Sequence, residues 1–330
     1  MAKRTKYPIH PDFKRWTKLN PPLNRTIVQV LQFFMRPLFR LEKSTAELTV
    51  EKKTITLNDG QSIRALLYSP KDIEKNAPCL VYYHGGGFVL PAAPYHYSLA
   101  KEYAQRARCK VLLVDYRLAP KYPFPVAPED CYAAYLWVLT NAKDLSVDPA
   151  RIAVAGDSAG GQLATVVCLM SKDRGQTMPC GQMLIYPAVG NVETESVRKY
   201  TDTPMCNSRD MEKYGKLYRP DLSVGNNVYA SPIEAESLEG LPAAYVETAE
   251  FDCLRDGGIL YAERLRQFGI SAELYNTEGT MHGFDIVLKS PIVRACVDRR
   301  IAFLNQMFHN GDQASWNSVI IHKRLYDNGQ

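Results

Sequence analysis

Gly156-Asp157-Ser158-Ala159-Gly160-Gly161 places a serine among glycines, between two apolar segments of the chain. The run Ile152–Ala155 before it predicts a short buried strand, and the run Gln162–Met170 after it predicts a buried helix. A sharp turn between a strand and a helix exposes its serine, and glycines permit this turn because a Cβ atom there would clash. The pattern therefore predicts a nucleophilic Ser158. A glycine-rich tight turn with a capping serine is the alternative.

Strand and helix signals alternate through most of the chain. Val50–Leu57 and Ile63–Tyr68 flank the turn signal Asn58-Asp59-Gly60 and predict a hairpin. Further strands are predicted at Cys79–Tyr83, Val111–Val114, Met183–Tyr186, Ala243–Thr248 and Ala272–Tyr275. Further helices are predicted at Pro128–Thr140, Gly258–Phe268 and Arg294–Phe308. The alternation is typical of an α/β fold, with a mostly parallel central sheet and helices on both faces. In such sheets the site forms at the carboxyl ends of the strands.

The composition of the 330-residue chain excludes several classes of protein. Hydrophobic residues make up 46% and charged residues 23%, which is typical of a soluble globular protein. The formal net charge of +5 comes from scattered lysines and arginines, so we expect no nucleic-acid partner. No apolar run reaches the roughly 18 residues of a membrane span, and no signal peptide is recognisable.

The eight cysteines carry no metal-binding pattern. None forms a C-x-x-C pair, and several lie inside apolar runs, where a free thiol behaves as a small hydrophobe. We therefore expect no metal and no organic cofactor. A reducing, cytoplasmic location is the corresponding expectation for the compartment.

Two regions depart from the alternation of strands and helices. Residues 1–47 contain the amphipathic stretch Arg25–Arg40, which Pro37 interrupts. Residues 191–232 carry a polar helix near Ser208–Tyr218 and no clear strand. Both regions are insertions relative to a minimal sheet, and we expect them to fold together as a cap over the site.

The other boundaries follow from this division. Residues 48–309 are expected to form the catalytic domain, and the polar residues 310–330 a loosely ordered tail. The N-terminal region is basic and rich in aromatic residues, namely Trp16, Phe33, Phe34 and Phe39. These aromatic residues would suit membrane-presented lipids, but they are more simply explained as packing the cap onto the body.

His84-Gly85-Gly86-Gly87-Phe88 follows a predicted strand and offers backbone N–H groups to a developing negative charge. Such a loop supplies one half of an oxyanion hole, and the N–H after the nucleophile supplies the other. We expect Gly85, Gly86 and Ala159 to donate these hydrogen bonds, and His84 to anchor the loop. A flexible loop or a phosphate-binding turn is the alternative, although the Gly-Lys-Ser/Thr ending of a Walker loop is absent.

The order of residues along the chain narrows the search for the base and the acid. In a sheet with this kind of nucleophile turn, the serine comes first, the acid second and the histidine third. Of the six histidines, only His282 follows a late strand within the folded body. The acid must fix the imidazole tautomer and stabilise the imidazolium. Its candidates are Glu250, Asp252 and Asp256, with Asp285 a weaker fourth, and spacing does not choose among the first three.

The two glycine-rich motifs together resemble the hormone-sensitive-lipase-like family of α/β-hydrolase esterases. Asp115-Tyr116-Arg117-Leu118-Ala119-Pro120 is similar to that family's signature after the third strand. The segment from Leu241 to Gly257 resembles its acid-bearing segment, and the similarity extends from about residue 48 to 308. Four motifs in the family's order make the resemblance highly specific.

The resemblance implies an α/β-hydrolase fold with a helical cap, built partly from the N-terminal segment. It also implies Asp252 as the acid, because the family's aspartate opens a D-P-L-x-D run, with Asp256 in a supporting position. Cys253 departs from the family's proline, and Gly257 from a usual acidic residue. Neither departure removes a catalytic group.

The expected function is that of a serine carboxylesterase, which hydrolyses short-to-medium-chain acyl esters through an acyl-enzyme. An amidase or deacetylase such as a formamidase, or a non-catalytic binding protein on the same fold, are the alternatives. Asp157 is expected to order the nucleophile turn through local hydrogen bonds. The pocket candidates Phe88, Tyr95, Tyr186 and Met205 are each better explained as core residues.

The expected partner is a small-molecule ester. A homodimer formed through Arg294–Phe308 is a further candidate, although an apolar face on that helix can equally cover the sheet.

Overall fold

The computed structural model of the protein describes residues 6–18, 24–223 and 227–309. The tail expected at 310–330 lies outside these residues. The strands of the described part are β1 Leu48–Thr56, β2 Ser62–Pro70, β3 Ala77–Tyr83, β4 Lys110–Asp115, β5 Val147–Asp157, β6 Gln182–Ile185, β7 Ala244–Phe251 and β8 Ala272–Met281. They form one eight-stranded sheet in the order β1-β2-β4-β3-β5-β6-β7-β8.

The α-helices of the described part surround this sheet and the cavity at its edge. They are α1 Arg25–Met35, α2 Leu38–Leu41, α3 Pro94–Arg106, α4 Val126–Thr140, α5 Ala159–Asp173, α6 Glu195–Lys199, α7 Ser208–Tyr218, α8 Asn227–Ala230, α9 Arg255–Gln267 and α10 Pro291–His309.

The strand pairing confirms the predicted hairpin and the mostly parallel sheet. β1 and β2 are antiparallel, with Val50 opposite Tyr68, and β2 is antiparallel to β4. All the pairs from β4 through β8 are parallel. The carboxyl ends of these parallel strands therefore meet at one edge of the sheet, where the candidate site is built.

Helices cover both faces of the sheet, because successive side chains of each strand point to opposite faces. On β3, Val81 belongs to the hydrophobic cluster shared with α4, α5 and α9. Its neighbours Leu80 and Tyr82 belong to the cluster shared with α3 and α10. The buried side chains Val297 and Leu304 lie in this second cluster, so α10 covers the sheet with its apolar face.

The helix α3 is absent from the sequence-based predictions. It begins at Pro94, whose fixed φ suits the first turn of a helix. Its buried face is built from alanines and tyrosines such as Ala100 and Tyr103, and polar residues intervene. This mixture gives too weak a helical period for the pattern to be recognised. The omission matters because α3 carries His96, which lies beside the site.

The two insertions form helices at the positions that the sequence predicts. α1 and α2 are separated at Arg36 and Pro37, because proline cannot continue the hydrogen-bonding pattern of the preceding helix. α7 spans Ser208–Tyr218 as expected. Among the helices of the described residues, none has the length and apolar character that crossing a bilayer requires.

Candidate active site

Ser158 lies between the end of β5 and the start of α5, on the turn that the sequence predicts. Its φ of 55° and ψ of −119° are a strained backbone conformation for a serine. The turn packs tightly against the end of β3, since a Cβ atom added to Gly160 would overlap the carbonyl oxygen of Tyr83. Glycine is therefore required at this close approach, and the turn presents the hydroxyl at the edge of the sheet.

The structure brings Ser158, His282 and Asp252 together in a chain of hydrogen bonds. His282 Nε2 lies 2.9 Å from Ser158 Oγ, and His282 Nδ1 lies 2.7 Å from Asp252 Oδ2. The three residues follow the ends of β5, β8 and β7 respectively. Asp252 is fully buried, and Ser158 and His282 are each 8% exposed. Ser158 and His282 both line the cavity above the hydroxyl.

Asp252 is held by its own turn. Its Oδ1 accepts a hydrogen bond from the N–H of Leu254 at 3.0 Å. The unusual Cys253 leaves this turn intact, and its carbonyl accepts a hydrogen bond from Ser196 Oγ. Asp256 does not touch His282 in the structure. Its Oδ2 accepts the N–H of Ser196 at 2.7 Å and thereby ties the turn to α6.

The other acidic candidates have different partners. Glu250 Oε2 accepts the N–H of Gly279 at 2.7 Å. Asp285 is buried in an ion pair with Arg300 and accepts a hydrogen bond from Tyr186. Among the described residues, Asp252 is therefore the carboxylate that contacts the imidazole of His282.

Asp252 also sets the charge preference of His282. Burial by itself lowers the pKa of this imidazole, but the carboxylate of Asp252 outweighs burial and raises the pKa of His282 to about 9. The pair therefore stabilises the imidazolium, which is the species that forms when a histidine accepts a proton from a serine.

The N–H of Gly85 is not free to face the cavity, contrary to the expectation from the sequence. It donates to Asp157 Oδ1 at 3.0 Å and lies 3.2 Å from His96 Nε2. In the described part of the chain, the N–H groups of Gly86 and Gly87 make no hydrogen bond, and both residues line the cavity. Gly87, which the sequence-based prediction left out, is thus a better placed donor than Gly85.

Asp157 has a wider role than the expected local ordering of the nucleophile turn. Besides Gly85, it accepts hydrogen bonds from the hydroxyls of Tyr82 and Tyr95, both at 3.1 Å. Its Oδ2 also lies 3.0 Å from His96 Nε2. Burial raises the pKa of Asp157, but His96 and the other donors outweigh burial and lower it to about 2. The carboxylate therefore fixes the glycine loop to the nucleophile turn.

His84 lies behind the glycine loop. Its ring stacks on Tyr116 with 4.4 Å between centroids, and its Nδ1 lies 2.8 Å from the carbonyl oxygen of Gly85. Burial lowers the pKa of His84 to about 4, so the ring is neutral near pH 7. This geometry agrees with the expected anchoring of the loop.

A cavity of about 1050 Å³ lies above Ser158. One wall consists of strand ends and the glycine loop, and the opposite wall includes Met35 from α1 and Met211 and Tyr214 from α7. The four pocket candidates Phe88, Tyr95, Tyr186 and Met205 all line this cavity. Their interpretation as core residues alone is therefore wrong, although Phe88 and Tyr186 are also buried.

Comparison with known proteins identifies relatives over most of the chain. A family model described as the alpha/beta hydrolase fold matches residues 80–286. The carboxylesterase NlhH of Mycobacterium tuberculosis is 35% identical over 86% of this chain and 90% of its own length. The arylesterase of Saccharolobus solfataricus is 34% identical over 66% of this chain and 71% of its own length.

Solved structures give the same result. A bacterial heroin esterase superposes with a TM-score of 0.82 at 30% identity, and the match covers 91% of this chain and 98% of that one. A hyperthermophilic esterase from the archaeon Pyrobaculum calidifontis superposes with a TM-score of 0.80 at 36% identity, over 91% of this chain and 99% of that one. The chain therefore belongs to the hormone-sensitive-lipase-like family of α/β-hydrolases, and it is a hydrolase that acts on carboxylic esters.

Proposed function

We propose that the protein hydrolyses short-to-medium-chain acyl esters, with Ser158 as nucleophile, His282 as base and Asp252 as orienting acid. The observation that supports this proposal most is the chain of two hydrogen bonds, 2.9 Å and 2.7 Å long, which joins the hydroxyl to the imidazole and the imidazole to the carboxylate. An imidazole in this position can take the serine proton as the hydroxyl attacks.

The first step forms the acyl-enzyme. Ser158 Oγ attacks the ester carbonyl carbon, and its proton passes to His282 Nε2. The carbonyl oxygen becomes an oxyanion, which the N–H groups of Gly86, Gly87 and Ala159 are placed to bind. The tetrahedral intermediate then collapses, and His282 gives the proton to the departing alcohol.

The second step releases the acid. Water attacks the acyl carbonyl while His282 takes one of its protons, and the same N–H groups bind the second oxyanion. Collapse of this intermediate returns the proton to Ser158 Oγ and frees the carboxylic acid. Asp252 keeps Nδ1 protonated throughout, so that Nε2 remains the reacting nitrogen.

The substrate class is inferred from the cavity and from the relatives. A cavity of about 1050 Å³ has room for an acyl group and a leaving alcohol of modest size. Relatives include an arylesterase and, from Pseudomonas putida, an ethyl acetate hydrolase, which is 32% identical to this chain. Both names point to small esters.

The compartment and the association state remain predictions. All eight cysteines are free thiols, and this favours the reducing cytoplasm that the sequence predicts. The homodimer would have to use a surface other than the apolar face of α10, because that face covers the sheet.

A panel of p-nitrophenyl esters from acetate to palmitate tests the proposal. We expect turnover on the short and medium chains, a marked fall at palmitate, and loss of activity and of fluorophosphonate labelling in Ser158→Ala. Ser98→Ala is the matched control, since Ser98 is an exposed serine on α3. Activity that survives in Ser158→Ala would mean that another group is the nucleophile.

The matching anilide, 4-nitroacetanilide, separates the ester from the amide reaction. We expect the wild-type protein to hydrolyse p-nitrophenyl acetate far faster than this amide. A preference for the amide would contradict the proposed substrate class and leave the triad assignment standing.

A further inference from the structure

The helix α1 buries Val28 in the core but turns two aromatic side chains outward. Phe33 and Phe34 are 73% and 70% exposed and lie against each other, with 5.5 Å between ring centroids. Gln32, by contrast, is buried, and its amide donates to the carbonyl oxygens of Val89 and Ala119. A surface helix ordinarily buries its apolar residues and exposes its polar ones. This helix is held to the body by Val28 and by the polar anchor of Gln32, and its two phenylalanines are left in solvent.

The exposed apolar residues are concentrated on this part of the surface. Five large hydrophobic residues of the described chain are exposed, and four of them lie between residues 30 and 41, namely Val30, Phe33, Phe34 and Leu41. The fifth is Leu222, which borders the active-site cavity. We call the four residues on α1 and α2 the apolar patch. Grouped exposure of this kind marks an interaction surface.

Cations surround the apolar patch. The segment Arg25–Leu41 contains three arginines and no acidic residue. A second cavity, of about 690 Å³, opens beside Phe33 and is lined by Arg36, Arg40 and Lys121. No salt bridge within the described residues includes any of these three cations, whereas Arg64 and Arg117 in the same cavity are paired with carboxylates. Exposed aromatic rings thus lie beside cations that form no salt bridge within the described residues.

The patch also lies next to the active-site cavity. Met35, which follows Phe34 on α1, lines the cavity above Ser158. Leu222 lines the same cavity from the other insertion. A surface that covered the patch would therefore adjoin the cavity that an ester must enter.

We propose that the apolar patch and its cations dock the protein onto an anionic lipid bilayer. Aromatic and aliphatic side chains would enter the interface, and the arginines would face the lipid phosphates, as in interfacial amphipathic helices. A second copy of the chain is disfavoured, because a two-fold contact would place like charges against each other. The segment 310–330 is disfavoured as well, since its side chains carry two cations and two anions and offer no complementary charge.

This inference goes beyond the proposed function and does not depend on it. Its test is the sedimentation of the full-length protein with vesicles, which requires no catalysis. We expect the wild-type protein to sediment with vesicles of equal parts phosphatidylcholine and phosphatidylglycerol, and far less with phosphatidylcholine alone.

Two double variants separate the apolar and the charged contributions. Phe33→Gln/Phe34→Gln and Arg36→Gln/Arg40→Gln should each lower the partition coefficient on the anionic vesicles by about tenfold or more. Lys75→Gln/Lys143→Gln is the matched control, because both lysines are exposed before the amino ends of β3 and β5. Turnover of soluble p-nitrophenyl acetate should stay unchanged in the phenylalanine variant, which checks its folding.

Each of several results would overturn the docking proposal. One is the absence of wild-type binding to anionic vesicles, and another is undiminished binding of the phenylalanine variant. Equal binding to vesicles of phosphatidylcholine alone, or an equal loss in the lysine control, would remove the role of the patch cations. Wild-type protein that forms a dimer dissociated by the phenylalanine substitutions, without binding vesicles, would show that a second copy covers the patch.

Discussion

The two walls of the active-site cavity are built in different ways. The sheet-side wall carries Ser158, His282 and the glycine loop, and these residues follow the ends of hydrogen-bonded strands. The opposite wall carries Met35, Met211 and Tyr214, which reach the cavity from helices of the two insertions. The first wall is positioned by backbone pairing and buried hydrogen bonds, and the second by the packing of side chains.

Because of this difference, we expect the sheet-side wall to determine the chemistry and the wall from the insertions to determine which substrate fits. On the sheet side, the carboxylates of Asp252 and Asp157 accept hydrogen bonds from buried groups of the site. A substitution of either carboxylate would leave those buried donors without a partner. On the insertion side, apolar side chains can change in size without leaving a polar group unpaired. Substitutions in the sheet wall should therefore affect turnover, and those in the other wall the choice of ester.

The largest expected effect tests the sheet wall at the acid. Asp252→Asn should lower kcat by about 10⁴-fold, because an amide cannot hold Nδ1 protonated or stabilise the imidazolium. Steady-state turnover of p-nitrophenyl acetate measures this loss. Asp256→Asn is the matched control and should cost far less, since Asp256 contacts Ser196 and not His282. An equal loss in both variants would break the assignment of the acid.

The next largest effect tests whether Asp157 holds the glycine loop in position. Asp157→Asn should lower kcat by on the order of 100-fold with little change in KM, because misplaced N–H donors weaken binding of the oxyanion more than that of the ester. Kinetics with p-nitrophenyl butyrate give the two constants separately, and a thermal melt reports any loss of folding. A rise in KM at constant kcat would contradict this positioning role.

A smaller effect concerns pH. His282 accepts a proton only when it is neutral, and Asp252 raises the pKa of His282 to about 9. Activity should therefore increase with pH, and kcat/KM should change about tenfold per pH unit on the acidic side of its midpoint. The midpoint should lie above 6.5, the ordinary value for histidine. A pH–rate profile whose acidic limb ends at or below 6.5 would contradict this direction.

The smallest effect belongs to the insertion wall. Met211→Ala should change the ratio of kcat/KM for octanoate over acetate esters by about tenfold or less, with little change on acetate. Met178→Ala is the matched control, because Met178 is also half-buried but lies outside the cavity lining. Equal effects on both esters would mean that this wall contributes to the chemistry as well.

The same division explains what the sequence could predict. Motifs on the sheet wall follow recognisable strands, so strand signals and chain order predict Ser158 and His282 as site residues, and the structure places them 2.9 Å apart. Three consecutive glycines, however, look alike in sequence. The structure is needed to show that the N–H of Gly85 donates to Asp157, whereas those of Gly86 and Gly87 make no hydrogen bond within the described residues. The hydrogen bond between His96 and Asp157 spans 61 residues, and no local pattern indicates it.

The insertions were the other place where the sequence was insufficient. Their helices were predicted at the right positions, because helical periodicity and Pro37 are local signals. The exposure of individual apolar residues was not, since periodicity gives the pattern of a helix but not which of its side chains meet the body. Packing was the simpler explanation for Phe33 and Phe34, and the exposure of both rings contradicts it, whereas Phe39 is buried as expected.

The buried amide of Gln32 gives the first helix an anchor that does not depend on the side chains of its neighbours. Its two acceptors are main-chain carbonyls, which any relative with the same loop path possesses whatever its side chains are. A chimaera would therefore carry the helix with its glutamine, and the recipient core would have to accept the buried side chain of Val28. Surface preference could in this way be exchanged between esterases, together with Met35, the residue of this helix that lines the active-site cavity.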